Sequence, residues 1–199
     1  MNGRKIPEYL ENPIDNLLIK YGVNNIKHFF FKLGFTANDI TTLSLIFGLI
    51  SVYLFKQNFY ISSSIIMFIA YFFDVMDGNF ARTYNMQSNF GDMYDHVKDT
   101  IIIILISFLI LTNKKTNFNF KLISVIIGFL LLIPSLIHLG CIEKYVEEFT
   151  TDIIVQKSQF LKPLQKYCKD KTFMKRMRFF GTGTANLWLS LVIFSHHLY

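Results

Sequence analysis

Cysteine and proline are scarce, with two Cys and four Pro among the 199 residues. The spacing of Cys141 and Cys168 indicates neither a metal knuckle, nor a redox pair, nor a disulfide framework, so we expect two ordinary small residues. The N-terminus lacks an uninterrupted apolar run followed by a small-residue cleavage site, which argues against a secretory signal. Because no repeat, low-complexity tract or linker divides the chain, we expect a single domain over residues 1–199.

Charge is scarce as well. Only 17% of the residues are Asp, Glu, Lys or Arg, whereas 52% are hydrophobic, and the mean hydropathy is +0.36. A soluble domain of this size does not need so much apolar material for one core, and the composition therefore predicts an integral membrane protein. The net charge of +6 requires no nucleic acid, because membrane topology and anionic headgroups account for it. We expect membrane lipids as partners.

Five apolar stretches approach the roughly 20 residues that a spanning helix needs. They predict an all-α bundle of five to six transmembrane helices within residues 39–199. In residues 1–38 the mixture of apolar residues with Lys20, Lys27 and Lys32 predicts an interfacial amphipathic helix. The five stretches are residues 40–55, 60–73, 100–111, 122–141 and 179–194.

Basic residues are distributed unevenly between alternate polar segments. Most Lys and Arg lie before Ile40, in residues 82–98 and in residues 144–178. The positive-inside rule therefore predicts a multi-pass protein in which these three segments lie in the cytoplasm. With five spans, Tyr199 would lie on the opposite side.

Four acids recur at helical spacing on either side of the second polar segment. Asp74 and Asp77 are three residues apart, and Asp95 and Asp99 are four apart, so each pair projects from one face of a helix. Four carboxylates near a bilayer do not all stay ionised without cations. Oxygen-only ligation suits Mg²⁺ or Mn²⁺, and two such ions could bind a pyrophosphate. The acids therefore predict a two-metal site.

Three small residues and one arginine accompany the acids. Gly78, Ala81 and Gly91 lack side-chain bulk where a nucleotide would approach the backbone. Arg82 is the nearest fixed cation for phosphate oxygens or for an aspartate. Helix packing and snorkelling would explain any one of these residues alone, but they do not explain the whole set.

Together these residues form the pattern D-x-x-D-G-x-x-A-R, eight residues, G-x-x-x-D-x-x-x-D. At every position it resembles the signature of the class-I CDP-alcohol phosphotransferase family. The resemblance implies a helical membrane fold, usually of six spans, with two metal ions in a cavity open to the cytoplasm. It implies that Asp74, Asp77 and Asp95 ligate metal and that Asp99 ligates metal or acts as the general base. It also implies a CDP site lined by Gly78, Ala81 and Gly91, with Arg82 beside it.

Two features depart from the family pattern. Residues 36–41, T-A-N-D-I-T, are similar to the T-P-N-x-I-T entry to the first span, with Ala37 in place of proline. Asn38 and Thr41 are therefore candidate nucleotide contacts, with helix capping as the alternative. The second departure is the count of five spans, because residues 158–167 are too polar for a sixth. A missing span would leave the cavity open.

The resemblance implies a transferase that moves a substituted phosphate from a CDP-linked donor to an alcohol acceptor and releases CMP. The donor is either CDP-diacylglycerol, which the short chain favours, or a CDP-aminoalcohol, which the pair Asp95 and His96 favours. The rivals are a divalent-cation transporter or channel, which needs no nucleotide-sized gap beside its cations, and a catalytically silent scaffold. A homodimer is left open.

Overall fold

The structure is a computed structural model that describes residues 3–149 and 161–198. Every regular element in these two ranges is helical, which confirms the all-α prediction for this part of the chain. The α-helices are α1 (Pro13–Leu18), α2 (Asn24–Lys32), α3 (Ala37–Lys56), α4 (Tyr60–Thr83), α5 (Asn89–Thr112), α6 (Phe118–Phe149), α7 (Lys171–Met177) and α8 (Thr182–Ser195). A π-helical turn, Ile19–Val23, joins α1 to α2, and 3₁₀ turns cover Lys162–Tyr167, Arg178–Phe180 and His196–Leu198.

Side-chain caps fix where α3 and α5 begin. Thr36 accepts a hydrogen bond from the backbone N–H of Asp39, and the Asp39 carboxylate accepts one from the backbone N–H of Thr36. This reciprocal pair is a capping box. At α5 the Ser88 hydroxyl accepts from the backbone N–H of Gly91 at 3.0 Å. Short loops, residues 57–59 and 84–88, make successive helices antiparallel. The start of α3, the end of α4 and the start of α5 therefore meet at one end of the bundle, the polar end.

The long helices pack in a defined order. Helix α3 packs against α4 and α5, α4 packs against α8, and α8 packs against α6. Small residues allow α3 and α4 to pack closely. At one such contact Ser51 and Ser63 each donate a hydrogen bond to the other's carbonyl oxygen at 2.8 Å. The apolar core between the helices comprises Phe55, Tyr60, Met67, Ile102, Ile106, Ile110, Val192 and Ile193.

Within residues 3–149 and 161–198, three helices are long and apolar enough to cross a membrane: α3, α4 and residues Phe118–Val146 of α6. The other two predicted spans also lie on helices. Residues 100–111 fall in α5, whose first half carries the acids and Lys98, and residues 179–194 fall largely in α8, which has only 14 residues. The total of five to six spans therefore stays a prediction.

Some of the residues on which the predicted membrane sidedness depends lie outside the described ranges. Tyr199 and the middle of residues 144–178 lie outside the described part, as does the beginning of residues 158–167. The cytoplasmic orientation and the interfacial position of residues 1–38 stay predictions.

The N-terminal segment packs onto the bundle. Ile6 and Leu10 are buried, and the Asn12 amide donates to the carbonyl oxygen of Arg178 at 2.7 Å and to the Thr184 hydroxyl at 3.0 Å. The Tyr71 hydroxyl of α4 donates to the Asp15 carboxylate. Burial raises the pKa of the Asp15 carboxyl to about 7, although the hydrogen bond from Tyr71 acts in the opposite direction. These contacts tie the segment to α4 and α8.

Gly183 of α8 lies where the N-terminal segment packs against α4 and α8, and a substitution there tests how tight this packing is. A Cβ atom at this position would lie 2.5 Å from Asn12 Oδ1, 2.6 Å from the Tyr71 hydroxyl and 2.8 Å from Asp15 Oδ1. Because all three atoms belong to hydrogen-bonded groups, we expect Gly183→Ala to cost roughly 1–3 kcal/mol of stability. At Gly128 a Cβ would meet nothing within 4 Å, so Gly128→Ala is the control. Thermal unfolding in detergent, followed by the fluorescence of Trp188, measures both. Equal melting temperatures of the Gly183→Ala and Gly128→Ala variants would contradict tight packing around Gly183.

The two cysteines are paired. Cys141 of α6 and Cys168 form a disulfide with their Cα atoms 5.4 Å apart. The prediction of two ordinary unpaired residues is therefore wrong. The pairing depends on α6 packing against the 3₁₀ turn Lys162–Tyr167, a contact that the spacing of 27 residues does not reveal.

Candidate metal and nucleotide site

Three of the four predicted aspartates converge at the polar end. Asp74 on α4 and Asp95 and Asp99 on α5 each offer a carboxylate oxygen, and these oxygens all lie within 4.8 Å of one another. Helices α4 and α5 are both positioned by packing on α3. Two helices that both pack against α3 therefore supply the three carboxylates.

Asp77 lies one turn beyond Asp74 and outside that group of three. Its residue exposure is only 4%, and its Oδ2 atom has no hydrogen-bond partner among the described residues. The charges of Asp95, Asp74 and Lys98 act on it, and the Thr41 hydroxyl lies beside its carboxylate. A buried carboxylate oxygen without a partner is costly, and a bound cation would satisfy it.

Lys98 lies at the centre of the acids, and the sequence reasoning missed it. Its ammonium Nζ is 2.9 Å from Asp95 Oδ1 and 3.0 Å from Asp99 Oδ1, and it also contacts Asp74. It donates to the Ser44 hydroxyl of α3 at 3.2 Å. A buried lysine needs acidic partners, so its position between Asp95 and Asp99 was the signal for this role.

The α3 candidates line the same end of the bundle. A Cβ on Gly91 would lie 2.9 Å from Asn38 Oδ1, so Asn38 and Gly91 are in close proximity. Thr41 is buried and donates to the carbonyl oxygen of Ala37 at 3.1 Å. The residue that caps α3 is Thr36, so N-capping does not explain Asn38 or Thr41.

Gly78, Ala81 and Arg82 have different surroundings. A Cβ on Gly78 would lie 3.3 Å from Arg82 Nη1, so the guanidinium lies over this glycine. Arg82 Nε donates to the carbonyl oxygen of Gly3 at 2.7 Å, which brings the N-terminal segment to the site. Ala81 instead packs against the apolar cluster formed by Val23, Ala37, Ile40, Met76 and Phe80. For Ala81 the structure shows helix packing, and its role at a nucleotide stays a prediction.

Basic residues from the N-terminal segment adjoin Arg82. The pKa of Lys5 is lowered by burial and by the charge of Arg82, and burial lowers the pKa of Lys27. The Lys27 ammonium donates to Asn79 Oδ1 at 2.9 Å and to the Thr83 hydroxyl at 3.1 Å. One side of the polar end is therefore acidic and the other basic, an arrangement that suits metal ions together with phosphate groups.

The ligand chemistry of the acidic side fits a hard cation. The three convergent carboxylates and the unpartnered Asp77 oxygen are all oxygen donors, which is the set that Mg²⁺ and Mn²⁺ prefer. His96, the neighbour of Asp95, is exposed on α5. The residues present therefore fit a divalent cation.

The comparisons with known proteins bear on the same residues. The model of the family described as CDP-alcohol phosphatidyltransferase matches residues 35–153, which is more than half of the chain and includes α3, α4 and α5 with all four aspartates. No curated protein and no solved structure matches the chain. The extent of the family match shows that the chain belongs to the CDP-alcohol phosphatidyltransferase family.

Proposed function

We propose that the protein is a membrane transferase that moves a substituted phosphate group from a CDP-alcohol to an alcohol acceptor and releases CMP. The observation that carries the proposal is the convergence of Asp74, Asp95 and Asp99 within 4.8 Å, inside the region that the family model matches. The cofactor is Mg²⁺ or Mn²⁺, with two ions bound.

The aspartates form the cation site in this proposal, and one of them has a further task. Asp74, Asp77, Asp95 and Asp99 would hold the divalent cations, which would supply charge neutralisation for the pyrophosphate of the donor. Asp99 has the most exposed side chain of the three convergent acids, at 49%, against 23% for Asp74 and 30% for Asp95. An exposed carboxylate can reach an acceptor hydroxyl, and Asp99 is therefore the general base.

The reaction is a single displacement. The acceptor oxygen attacks the donor phosphorus distal to cytidine while Asp99 takes the hydroxyl proton. The bond between that phosphorus and the bridging oxygen breaks, and CMP leaves with the bridging oxygen. Arg82 supplies positive charge beside Gly78, where Gly78, Ala81 and Gly91 leave room for the nucleotide, with Asn38 and Thr41 as contacts on α3. Positioning and electrostatics provide most of the catalysis in such transfers.

An ion-conducting role is less consistent with these contacts. The Lys98 ammonium lies among three of the acids, and Arg82 lies over the neighbouring Gly78. Positively charged side chains beside the acids oppose the passage of cations. The same charges favour the binding of a phosphate-containing substrate.

We infer that the site opens to the cytoplasm. The acids lie at the polar end, which the basic N-terminal residues Lys5 and Lys27 also approach. The positive-inside rule favours the cytoplasm for such a cluster.

Release of CMP from labelled donors tests the proposed activity. The purified chain is incubated in Mg²⁺ with CDP-diacylglycerol, CDP-choline or CDP-ethanolamine, and with an alcohol acceptor for each. We expect CMP from CDP-diacylglycerol, because the matched family is described by phosphatidyl transfer. CMP from the other two donors would instead identify an aminoalcohol phosphotransferase. If no donor yields CMP in Mg²⁺ or Mn²⁺, a silent scaffold would be the better description.

A further inference from the structure

Lys98 is the most enclosed charged side chain at the polar end, with 1% side-chain exposure. Its ammonium has three N–H bonds and four acceptors around it: the Asp74, Asp95 and Asp99 carboxylates and the Ser44 hydroxyl. The Ser44 hydroxyl is itself fixed, because it donates to the carbonyl oxygen of Ala70 at 2.9 Å. Lys98 is therefore held at the acids by both α3 and α5.

The ammonium and a metal ion require the same oxygens. The three carboxylates that contact Lys98 are the three that offer ligand atoms within 4.8 Å of one another. A divalent cation among them would lie roughly 2.0–2.6 Å from each oxygen it binds. It would then be in near contact with the ammonium. Two like charges this close repel strongly near a protein surface, and a divalent ion doubles the repulsion that a monovalent one would give.

We propose that Lys98 is a built-in counter-cation that occupies the metal position in the ion-free protein and leaves the acids when a divalent cation binds. The inference rests on the proposed function in one respect, which is that these acids form the metal site. Lys98 offsets the mutual repulsion of the acids before an ion arrives. It also weakens the affinity for the ion, because the ammonium has to be displaced first.

Calorimetric titration of the full chain with Mn²⁺ tests this competition. Lys98→Gln removes the charge and keeps a polar side chain, so we expect it to bind Mn²⁺ at least about tenfold more tightly than the wild type. Lys98→Arg keeps the charge, and Lys32→Gln removes an exposed charge from the end of α2. Both should stay close to the wild-type affinity. Equal or weaker binding of Mn²⁺ by Lys98→Gln would overturn the proposal.

A second measurement needs no variant and covers the case in which Lys98→Gln does not fold. Wild-type protein is treated with an amine-acylating reagent in EDTA or in saturating Mn²⁺, and modification is read by mass spectrometry. We expect Lys98 to be protected in EDTA and to be modified severalfold more in Mn²⁺, with exposed Lys32 unchanged as the internal control. Full protection of Lys98 in saturating Mn²⁺ would overturn the proposal.

The CMP assay on the same preparations separates the proposed role of Lys98 from the proposed transferase activity. Protein that releases CMP in Mn²⁺ while Lys98 stays protected would contradict the role of Lys98 alone. Protein that binds Mn²⁺ and exposes Lys98 without releasing CMP from any donor would support that role and contradict the transferase.

Discussion

Asp77→Asn should lower the rate of CMP release by about a thousandfold, an effect of the size seen when one electrostatic group is removed from a reaction centre. Asp77 is 4% exposed, and its Oδ2 atom has no hydrogen-bond partner in the described ranges. Asparagine keeps the shape of the side chain and removes its charge. Packing is therefore preserved while the capacity to hold a divalent cation is lost.

The loss of rate should be reproduced by removing the metal ions. Wild-type protein in excess EDTA should fall at least to the rate of Asp77→Asn, because both the chelator and the substitution leave the site without its full set of cations. Asp92→Asn is the matched control, since Asp92 is an exposed acid on the first turn of α5 and occupies a variable position of the signature. Its rate should stay within about twofold of the wild type. The initial rate of CMP release measures all four samples, and an active Asp77→Asn or undiminished turnover in EDTA would show that the metal site is misplaced.

The thermal stability of Asp77→Asn distinguishes loss of chemistry from loss of fold. In EDTA the variant should melt no lower than the wild type, because it lacks a buried charge that the ion-free protein does not fully satisfy. A large fall in melting temperature would instead assign the lost rate to unfolding.

The acids were predictable from the sequence because their spacing is a local property of helices. Asp95 and Asp99, four residues apart, project from one face wherever α5 packs, and the structure brings both to Asp74. The approximate start of α3 was also predictable from the sequence, although the residue that caps the helix is Thr36 and not Asn38.

What the sequence did not reveal depends on contacts between distant segments. The Arg82 guanidinium is held by the carbonyl oxygen of Gly3, and Cys141 of α6 meets Cys168, which lies 27 residues later in the sequence. Lys98 was overlooked for a different reason. Its pairing with Asp95 could be inferred from their spacing, but its enclosure depends on Ser44 of α3. The number of membrane spans stays a prediction because the first half of α5 carries several charged residues and α8 is short.

Nucleotide binding should depend on Gly91 and Gly78 independently of metal binding. A Cβ on Gly91 would lie 2.9 Å from Asn38 Oδ1 and 3.1 Å from the Ser88 hydroxyl, and one on Gly78 would meet the Arg82 guanidinium at 3.3 Å. A leucine at Gly91 has to push Asn38 aside, and a leucine at Gly78 has to displace Arg82. In the proposed nucleotide site, each change would fill space that the CDP moiety occupies. The CDP moiety would have to displace the new side chain, and a binding free energy weakened by roughly 1–3 kcal/mol corresponds to about a ten- to hundredfold loss of affinity.

Calorimetry with CDP in Mg²⁺ measures this loss, and titration with Mn²⁺ in the same variants should show that the aspartates still bind cations. Gly128→Leu is the matched control, because a Cβ there meets nothing within 4 Å, and it should bind CDP as the wild type does. An ion pathway predicts a different pattern, because its wild type would have no CDP affinity to lose. Wild-type protein without detectable affinity at millimolar CDP would count against the transferase. Retained CDP affinity in both Gly78→Leu and Gly91→Leu would place the nucleotide elsewhere, nearest to Asn38 and Thr41 on α3, because those residues belong to the same end of the bundle.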